Sequence, residues 1–477
     1  MSFLSIEISI LEIFLLIQYL MAFGIIFFER RNPNSALSWI LVLLVLPVVG
    51  FFLYLFFGQD FTRKRLFSLK EEHDLRIAQA IGQQKEEIAA VEITCDDPVV
   101  GRYLGVIRMF IENNRAIVTD DNRLTIYTDG NDTFRDLISA IEGARHHVHL
   151  QYYIIRDDPL GRRILTLLCR KAREGVEVRL LYDALGMKIS KRLLADLEEA
   201  GGRHAAFFPR IFTINYRNHR KIAVIDGTCG FIGGYNIGEE YLGKGPLGNW
   251  RDAAIRIEGS GVIGLQIRFF MDWNHTSTED VAYSSHYFPE PNGKGDCLLQ
   301  IVSSGPDSRW NQVKEGYLKL VNSATESLYI QTPYFIPDES VSDALRIAAL
   351  SGVDVRIMIP CKPDHPFVYW ATCSFVGDLL EAGVRAYTYD NGFIHAKTIV
   401  VDGIAASVGS ANWDVRSFRL NFEANAFLYN EQYAGELKAA FERDLPFCTE
   451  ITREIYRDRP RRVKIKEQVS RLFSPLG

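Results

Sequence analysis

The chain of 477 residues carries 54 Lys and Arg against 59 Asp and Glu, a formal net charge of −5, with 47% hydrophobic and 24% charged residues. Such a balance excludes disordered and collagen-like classes and argues against a protein that mainly coats nucleic acid. The length predicts two or three domains, enough to bury a core without disulfides or a structural metal. Its seven cysteines (Cys95, Cys169, Cys229, Cys297, Cys361, Cys373, Cys448) are odd in number and form no C-x-x-C pair, so neither a disulfide framework nor a zinc site is indicated. A reducing compartment is the simpler setting.

Two apolar runs open the chain, residues 8–28 and 35–57, each long enough to cross a hydrocarbon core as a helix. The second carries no charge; the first contains Glu12 and Gln18, a cost unless Glu12 lies near an interface. Only residues 29–34 separate them, so the pair is predicted as a transmembrane helical hairpin. A secretory signal peptide is disfavoured, because no Lys or Arg precedes the first run and no small-residue cleavage pattern comes after it. Arg63, Lys64, Arg65 and Lys70 after the second run outnumber Arg30 and Arg31 in the turn, which places the bulk of the chain on the cytoplasmic side of a cell membrane.

Residues 60–115, rich in Lys, Glu and Gln, read as a helical, solvated linker. Beyond residue 115 the chain is written twice. His149-Leu-Gln151 matches Tyr329-Ile-Gln331, Gly175-Val-Glu-Val-Arg179 matches Gly352-Val-Asp-Val-Arg356, and Glu199-Ala-Gly201 matches Glu381-Ala-Gly383, in the same order and at offsets of 177 to 182. Each copy alternates β-branched runs with amphipathic helical stretches ending in glycine, which predicts tandem α/β domains over 116–290 and 291–456, with a basic tail over 457–477.

The duplication peaks at one pattern. His219-Arg-Lys221 runs through Asp226-Gly227 to Gly233-Gly234-Tyr-Asn236, and His395-Ala-Lys397 through Asp402-Gly403 to Gly409-Ser410-Ala-Asn412, offset by 176. H-x-K at the head of a β-forming run puts His and Lys on one face of the strand. An imidazole beside a fixed ammonium suits attack on a phosphate diester, with nitrogen as nucleophile and Lys offsetting negative charge. Asp-Gly reads as a turn that ends the strand, so Asp226 and Asp402 look structural from the residues alone. The glycines let backbone approach a ligand, and Asn236 and Asn412 can donate to phosphoryl oxygens. Asp252 and Glu423, downstream of the two copies, can accept from the far nitrogen of each His and fix its tautomer. A metal site is disfavoured by the Lys at i+2. His147 and His149, at a predicted strand start, read as structural, and His365 as a loop residue.

This doubled pattern resembles the HKD motif of the phospholipase D superfamily. The flanking segments Tyr216-Arg-Asn-His-Arg-Lys221, Trp250-Arg-Asp252, Thr332-Pro-Tyr-Phe-Ile-Pro337 and Arg416-Ser-Phe-Arg-Leu-Asn-Phe-Glu423, with the N-terminal hairpin, are similar to bacterial cardiolipin synthases. One departure is Gly234, where many members of the superfamily carry Ser; Ser410 keeps the hydroxyl. The resemblance implies two α/β halves about a pseudo-twofold axis with both motifs at one pocket. It also implies a catalytic set of His219, Lys221, Asp226, His395, Lys397 and Asp402, with Asn236, Ser410, Asn412, Asp252 and Glu423 binding substrate and no metal or other cofactor. The implied reaction is transfer of a phosphatidyl group between two phosphatidylglycerol molecules through a phosphohistidine. His219 is the expected nucleophile and His395 the acid/base. Partners are phosphatidylglycerol and anionic membrane lipid, not nucleic acid. A phospholipase-D-type hydrolase and phosphatidylserine synthase share the motif; a catalytically dead lipid-binding scaffold is weakened by the presence of both His and both Lys.

Two segments bear on a lipid substrate. Phe207-Phe-Pro-Arg-Ile-Phe212 offers aromatics to a bilayer or forms a buried strand. The tail from residue 457 has seven Lys or Arg interspersed with Val469, Leu472 and Phe473, and either lies on anionic lipid or is a solvated charged tail.

Overall fold

The computed structural model describes residues 98–474 apart from 208–214, 283 and 291–294, together with 33–46 and residues 16, 17, 19, 20, 49, 50 and 54. The runs expected to span a membrane over 8–28 and 35–57 lie largely outside the described residues. Pro33–Val45 is an α-helix, and among the described residues no helix is long and apolar enough to cross a membrane.

Among the described residues, sixteen strands form one continuous sheet. In the first half, His147–Tyr152, Glu177–Asp183 and Arg203–Phe207 run parallel, and Ile222–Ile225, Cys229–Gly233 and Ala254–Glu258 continue antiparallel to Val118–Tyr127. The second half repeats this order with Ser327–Gln331, Asp354–Pro360 and Arg385–Tyr389 parallel, then Thr398–Val401, Ala405–Gly409, Asn421–Tyr429 and Cys297–Ser304 antiparallel. The halves join where Val118–Tyr127 pairs antiparallel with Cys297–Ser304, the corresponding strand of the other copy. Antiparallel pairing of equivalent strands is what a twofold axis between them requires.

The repeat is visible in the backbone residue by residue. Gly175 and Gly352, at φ 88° and 96°, end corresponding helices, as do Gly201 and Gly383 at 92° and 95°. These are left-handed positions where a side chain is strained, which is why both copies of the sequence place glycine there. Asp226 and Asp402 both have φ 53°, with Gly227 next at 67° and Gly403 at 69°. Two consecutive left-handed residues make the primed turn that joins twisted antiparallel strands, and Asp-Gly is a favoured pair for it.

Helices cover both faces. Gly130–Gly143, Pro159–Arg173 and Lys191–Glu199 pack on the first half, the first two started by the side-chain caps of Asp129 and Asp158. Gln312–Ser323, Glu339–Leu350 and Pro366–Leu379 cover the second half. A third core, with Val262 and Leu265 from one helix and Leu437 and Phe441 from another, is shared by strands of both halves. The halves therefore fold onto one another rather than hanging as separate beads.

One expectation needs correction, and one open alternative is settled for Phe207. Of the stretch expected to be a solvated linker, residues 98–114 form a helix whose Tyr103, Val106, Ile107 and Phe110 are buried against the second half. Their i, i+3, i+4, i+7 spacing is a one-sided apolar stripe. Phe207 is a buried strand residue packed edge-on to Phe422, and residues 208–214 lie outside the described residues. His147 and His149 are buried in their strand and hydrogen-bonded to Gln266, as a structural role requires. His365 sits exposed just before the Pro366–Leu379 helix.

Candidate active site

Each motif histidine is placed by a short strand that crosses to the other half. Arg217–Asn218 pairs parallel with Asn421–Phe422, and the His219 N–H donates to the Phe422 carbonyl at 2.9 Å. Phe393–Ile394 pairs parallel with Trp250–Arg251, and the His395 N–H donates to the Arg251 carbonyl at 2.7 Å. In a parallel pair the next residue on each side comes abreast. Glu423 thus arrives beside His219, and Asp252 beside His395.

The carboxylates are exchanged between halves. His219 Nδ1 lies 3.0 Å from Glu423 Oε2 and 3.0 Å from the Ser410 carbonyl. His395 Nδ1 lies 2.6 Å from Asp252 Oδ2. Both carboxylates are fully buried. A hydrogen bond from Nδ1 to a carboxylate fixes the tautomer that leaves Nε2 as the reactive nitrogen. Asp252 and Glu423, also expected among the substrate-binding residues, meet the far nitrogens of the imidazoles as their place after each motif led one to expect, but each serves the histidine of the opposite half.

The lysines sit on the same strand face as the histidines. Lys221 Nζ donates to the His219 carbonyl at 2.5 Å, and Lys397 Nζ lies 2.9 Å from His395 Nδ1 and donates to the His395 carbonyl. All four groups are buried. Burial first, and then the nearby lysines, press both imidazole pKa values down, His395 to about 4, against the opposing pull of Glu423 and Asp252. Burial also brings Lys397 down to about 8 and Lys221 well below its ordinary value. The lysine of the other motif also lowers the pKa of each histidine. For Glu423, burial acts upward, but His219 and Lys221 outweigh it and hold the carboxyl below its usual range.

Asp226 and Asp402, expected in the catalytic set, are not at this centre. Asp226 accepts from the backbone N–H groups of Arg145, His146 and His147, and Asp402 from those of Thr325, Glu326 and Ser327. Each stands five positions along the chain from its lysine, roughly 16 Å at ~3.3 Å per residue. Their work is to fasten the turn to the start of the neighbouring strand.

The remaining expected residues divide. Asn236 is committed to the fold, its Oδ1 accepting from the Ile154 N–H at 3.2 Å and its Nδ2 donating to the Tyr241 hydroxyl at 2.9 Å. Asn412 is buried with no hydrogen-bond partner on Oδ1. Ser410 donates to Glu423 Oε2 at 2.5 Å, so its hydroxyl is engaged with a carboxylate. Gly234 now has a physical reason: a Cβ there would lie 2.0 Å from Asp252 Oδ1. The shorter Asp252 occupies the space that the Ser410 side chain fills in the second copy. Gly234→Ser is expected to displace Asp252 from His395 and lower kcat by ~10²-fold, the scale of an ångström-sized misplacement. Steady-state assay of the folded variant checks it; unchanged kcat would mean that the carboxylate can move without consequence.

Some contributors carried no signal of their own in the sequence. Tyr153 packs edge-on to His219 at 5.0 Å, while Tyr241 and Trp250 flank His395 at 5.8 and 5.1 Å. Arg220, between the motif His and Lys, points to the opposite face, bonded to Asp272 at 2.5 Å and to the Glu423 carbonyl at 3.0 Å. Asp272 lies on a helix, fifty-two residues on. Only the fold brings it there.

Two tandem α/β halves with a doubled H-x-K at their junction define a protein of the phospholipase D type. The family described as "Cardiolipin synthase, PLD-like domain" matches residues 137–259 and 317–445, and one described as "Phospholipase_D-nuclease N-terminal" matches 17–59. The chain is 48% identical to the major cardiolipin synthase ClsA of Bacillus subtilis, covering 99% of this chain and all of that protein. It is 47% identical to a cardiolipin synthase of Listeria monocytogenes, covering 98% of each. Among solved structures, phosphatidylserine synthase of Haemophilus influenzae shares the fold, at TM-score 0.59 and 16% identity, over 77% of this chain and all of that one. The chain belongs to the cardiolipin synthase family, and it is a phosphatidyltransferase of that type.

Proposed function

We propose that the enzyme joins two phosphatidylglycerol molecules into cardiolipin and releases glycerol. The crossed histidine–carboxylate pairs support this most directly, since they leave one reactive nitrogen from each half for a single phosphate. His219 Nε2 attacks phosphorus, the P–O bond to the head-group glycerol breaks, and His395 gives that oxygen its proton. The second phosphatidylglycerol then loses a glycerol proton to His395 as its oxygen attacks the phosphohistidine, freeing His219. With its pKa near 4 in the free enzyme, His395 must gain its proton together with the anionic substrate, whose charge raises that value. Lys221 and Lys397, destabilised as cations by burial, are likewise restored by the incoming phosphate. The Asn412 Nδ2 amide donates to a phosphoryl oxygen.

The lipid reading extends to the chain's ends. We place spans over 8–28 and 35–57 in the cell membrane, a connecting segment that ends before the docked helix Pro98–Asn114, catalytic halves over 116–290 and 291–456 on the cytoplasmic side, and a basic tail from 457.

The test is an assay with labelled phosphatidylglycerol as the only lipid, in detergent and with EDTA. Cardiolipin with an equal yield of glycerol is the expected result. Phosphatidic acid alone would make the enzyme a hydrolase and overturn the assignment of the acceptor.

A further inference from the structure

The last described helix, Arg461–Phe473, is docked inside out. It packs beside Pro366–Leu379 with its polar residues inward: Glu467 is 1% exposed and paired with Arg459 at 2.6 Å, Ser470 is 4% exposed, and Arg471 bonds Asp378. Ile465, Val469 and Leu472 point outward, 63%, 48% and 66% exposed. At 100° per residue these three fall within an arc of about 60°, a continuous aliphatic stripe. Arg461 borders it on one side, and Arg462 and Lys466 on the other, all exposed. The one carboxylate of the helix is turned inward and already paired.

A solvated tail would put its aliphatic residues against the fold and its charges in water. Here the inner side is held by ion pairs, and the apolar stripe is left to water between cations. An aliphatic centre with a basic rim is the pattern of a helix lying in the interfacial plane of an anionic bilayer. Its cations gain from the negative surface potential, and its aliphatic side chains leave water.

We propose that the outward face of Arg461–Phe473 docks on an anionic phospholipid surface and holds the catalytic halves against the lipid that supplies substrate. This deepens the lipid-substrate reading above, but the docking itself does not require turnover.

The test uses the full chain reconstituted in vesicles, with a photo-crosslinking amino acid at Leu472. In phosphatidylglycerol vesicles an adduct with lipid is expected, at least five-fold above that in phosphatidylcholine and falling with added salt. Equal yields in the two lipids would overturn the anionic assignment. No lipid adduct, or an adduct to a second copy of the chain, would overturn the lipid surface. In a second measurement, the triple variant Ile465→Asp, Val469→Asp, Leu472→Asp is expected to lose five-fold or more of its turnover on vesicles. On short-chain, monomeric phosphatidylglycerol it should remain within two-fold of the parent. Equal loss on both substrates would assign the stripe to folding and overturn the proposal. Because crosslinking needs no reaction, a failed docking is distinguishable from a failed cardiolipin assignment.

Discussion

His219→Ala and His395→Ala are each expected to lower cardiolipin formation by at least the ~10²–10⁴-fold attributable to a positioned proton-transfer group. The two should fail differently. With His219 as nucleophile, His219→Ala forms no phosphatidyl-enzyme. His395→Ala still carries the attacking nitrogen and should accumulate one when offered a phosphatidyl ester of p-nitrophenol, whose departure needs no proton. Acid-labile, alkali-stable label on His219 after denaturing quench is the measurement. Label on His395 instead would exchange the two roles. Near-normal turnover of either variant on phosphatidylglycerol would sink the two-histidine mechanism.

The second large effect comes from the exchanged carboxylates. Asp252→Asn and Glu423→Gln keep shape but lose the charge that fixes each tautomer, and such a change in a His–carboxylate pair costs ~10⁴ in a serine protease. Similar losses, on the order of 10²–10⁴, are expected here. Which histidine each carboxylate serves is the sharper question. Asp252 stands 2.6 Å from His395 although the two belong to different halves, and Glu423 stands 3.0 Å from His219. With the nitrophenyl ester, Asp252→Asn should recover nitrophenol release as His395→Ala does, because the protonated leaving group is no longer needed. Glu423→Gln should stay slow with His219→Ala. Rescue in the opposite pairing would show that each carboxylate serves the histidine of its own half.

The parts of this site that could be read from the residues are the local ones. H-x-K at the head of a β-branched run fixes which side chains share a face, and Asp-Gly fixes a turn; both features recur 176 residues apart. The same local logic led to the turn reading for Asp226 and Asp402, which the superfamily motif had drawn into the catalytic set. Their three backbone amide bonds each decide for the turn. The exchange of carboxylates was not legible, because it depends on two-residue strands meeting across 204 and 143 positions of sequence. No spacing rule reaches that far. Residues 98–114 were hidden for a simpler reason: the charged composition of the preceding segment masked a helical stripe that Tyr103, Val106, Ile107 and Phe110 spell out on their own. The tail was readable in composition, but its orientation depended on Glu467 finding Arg459.

The crossing of short strands at the junction has a consequence for what counts as the unit of inheritance. Either half alone would carry a histidine with no carboxylate and a carboxylate with no histidine, so its chemistry would be mute. Two copies of one half, related by a rotation, would complete each other twice over. One polypeptide thus supplies both members of each exchanged pair. Within each half the space beside the motif is filled in its own way, by Gly234 against Asp252 in the first and by Ser410 against Glu423 in the second.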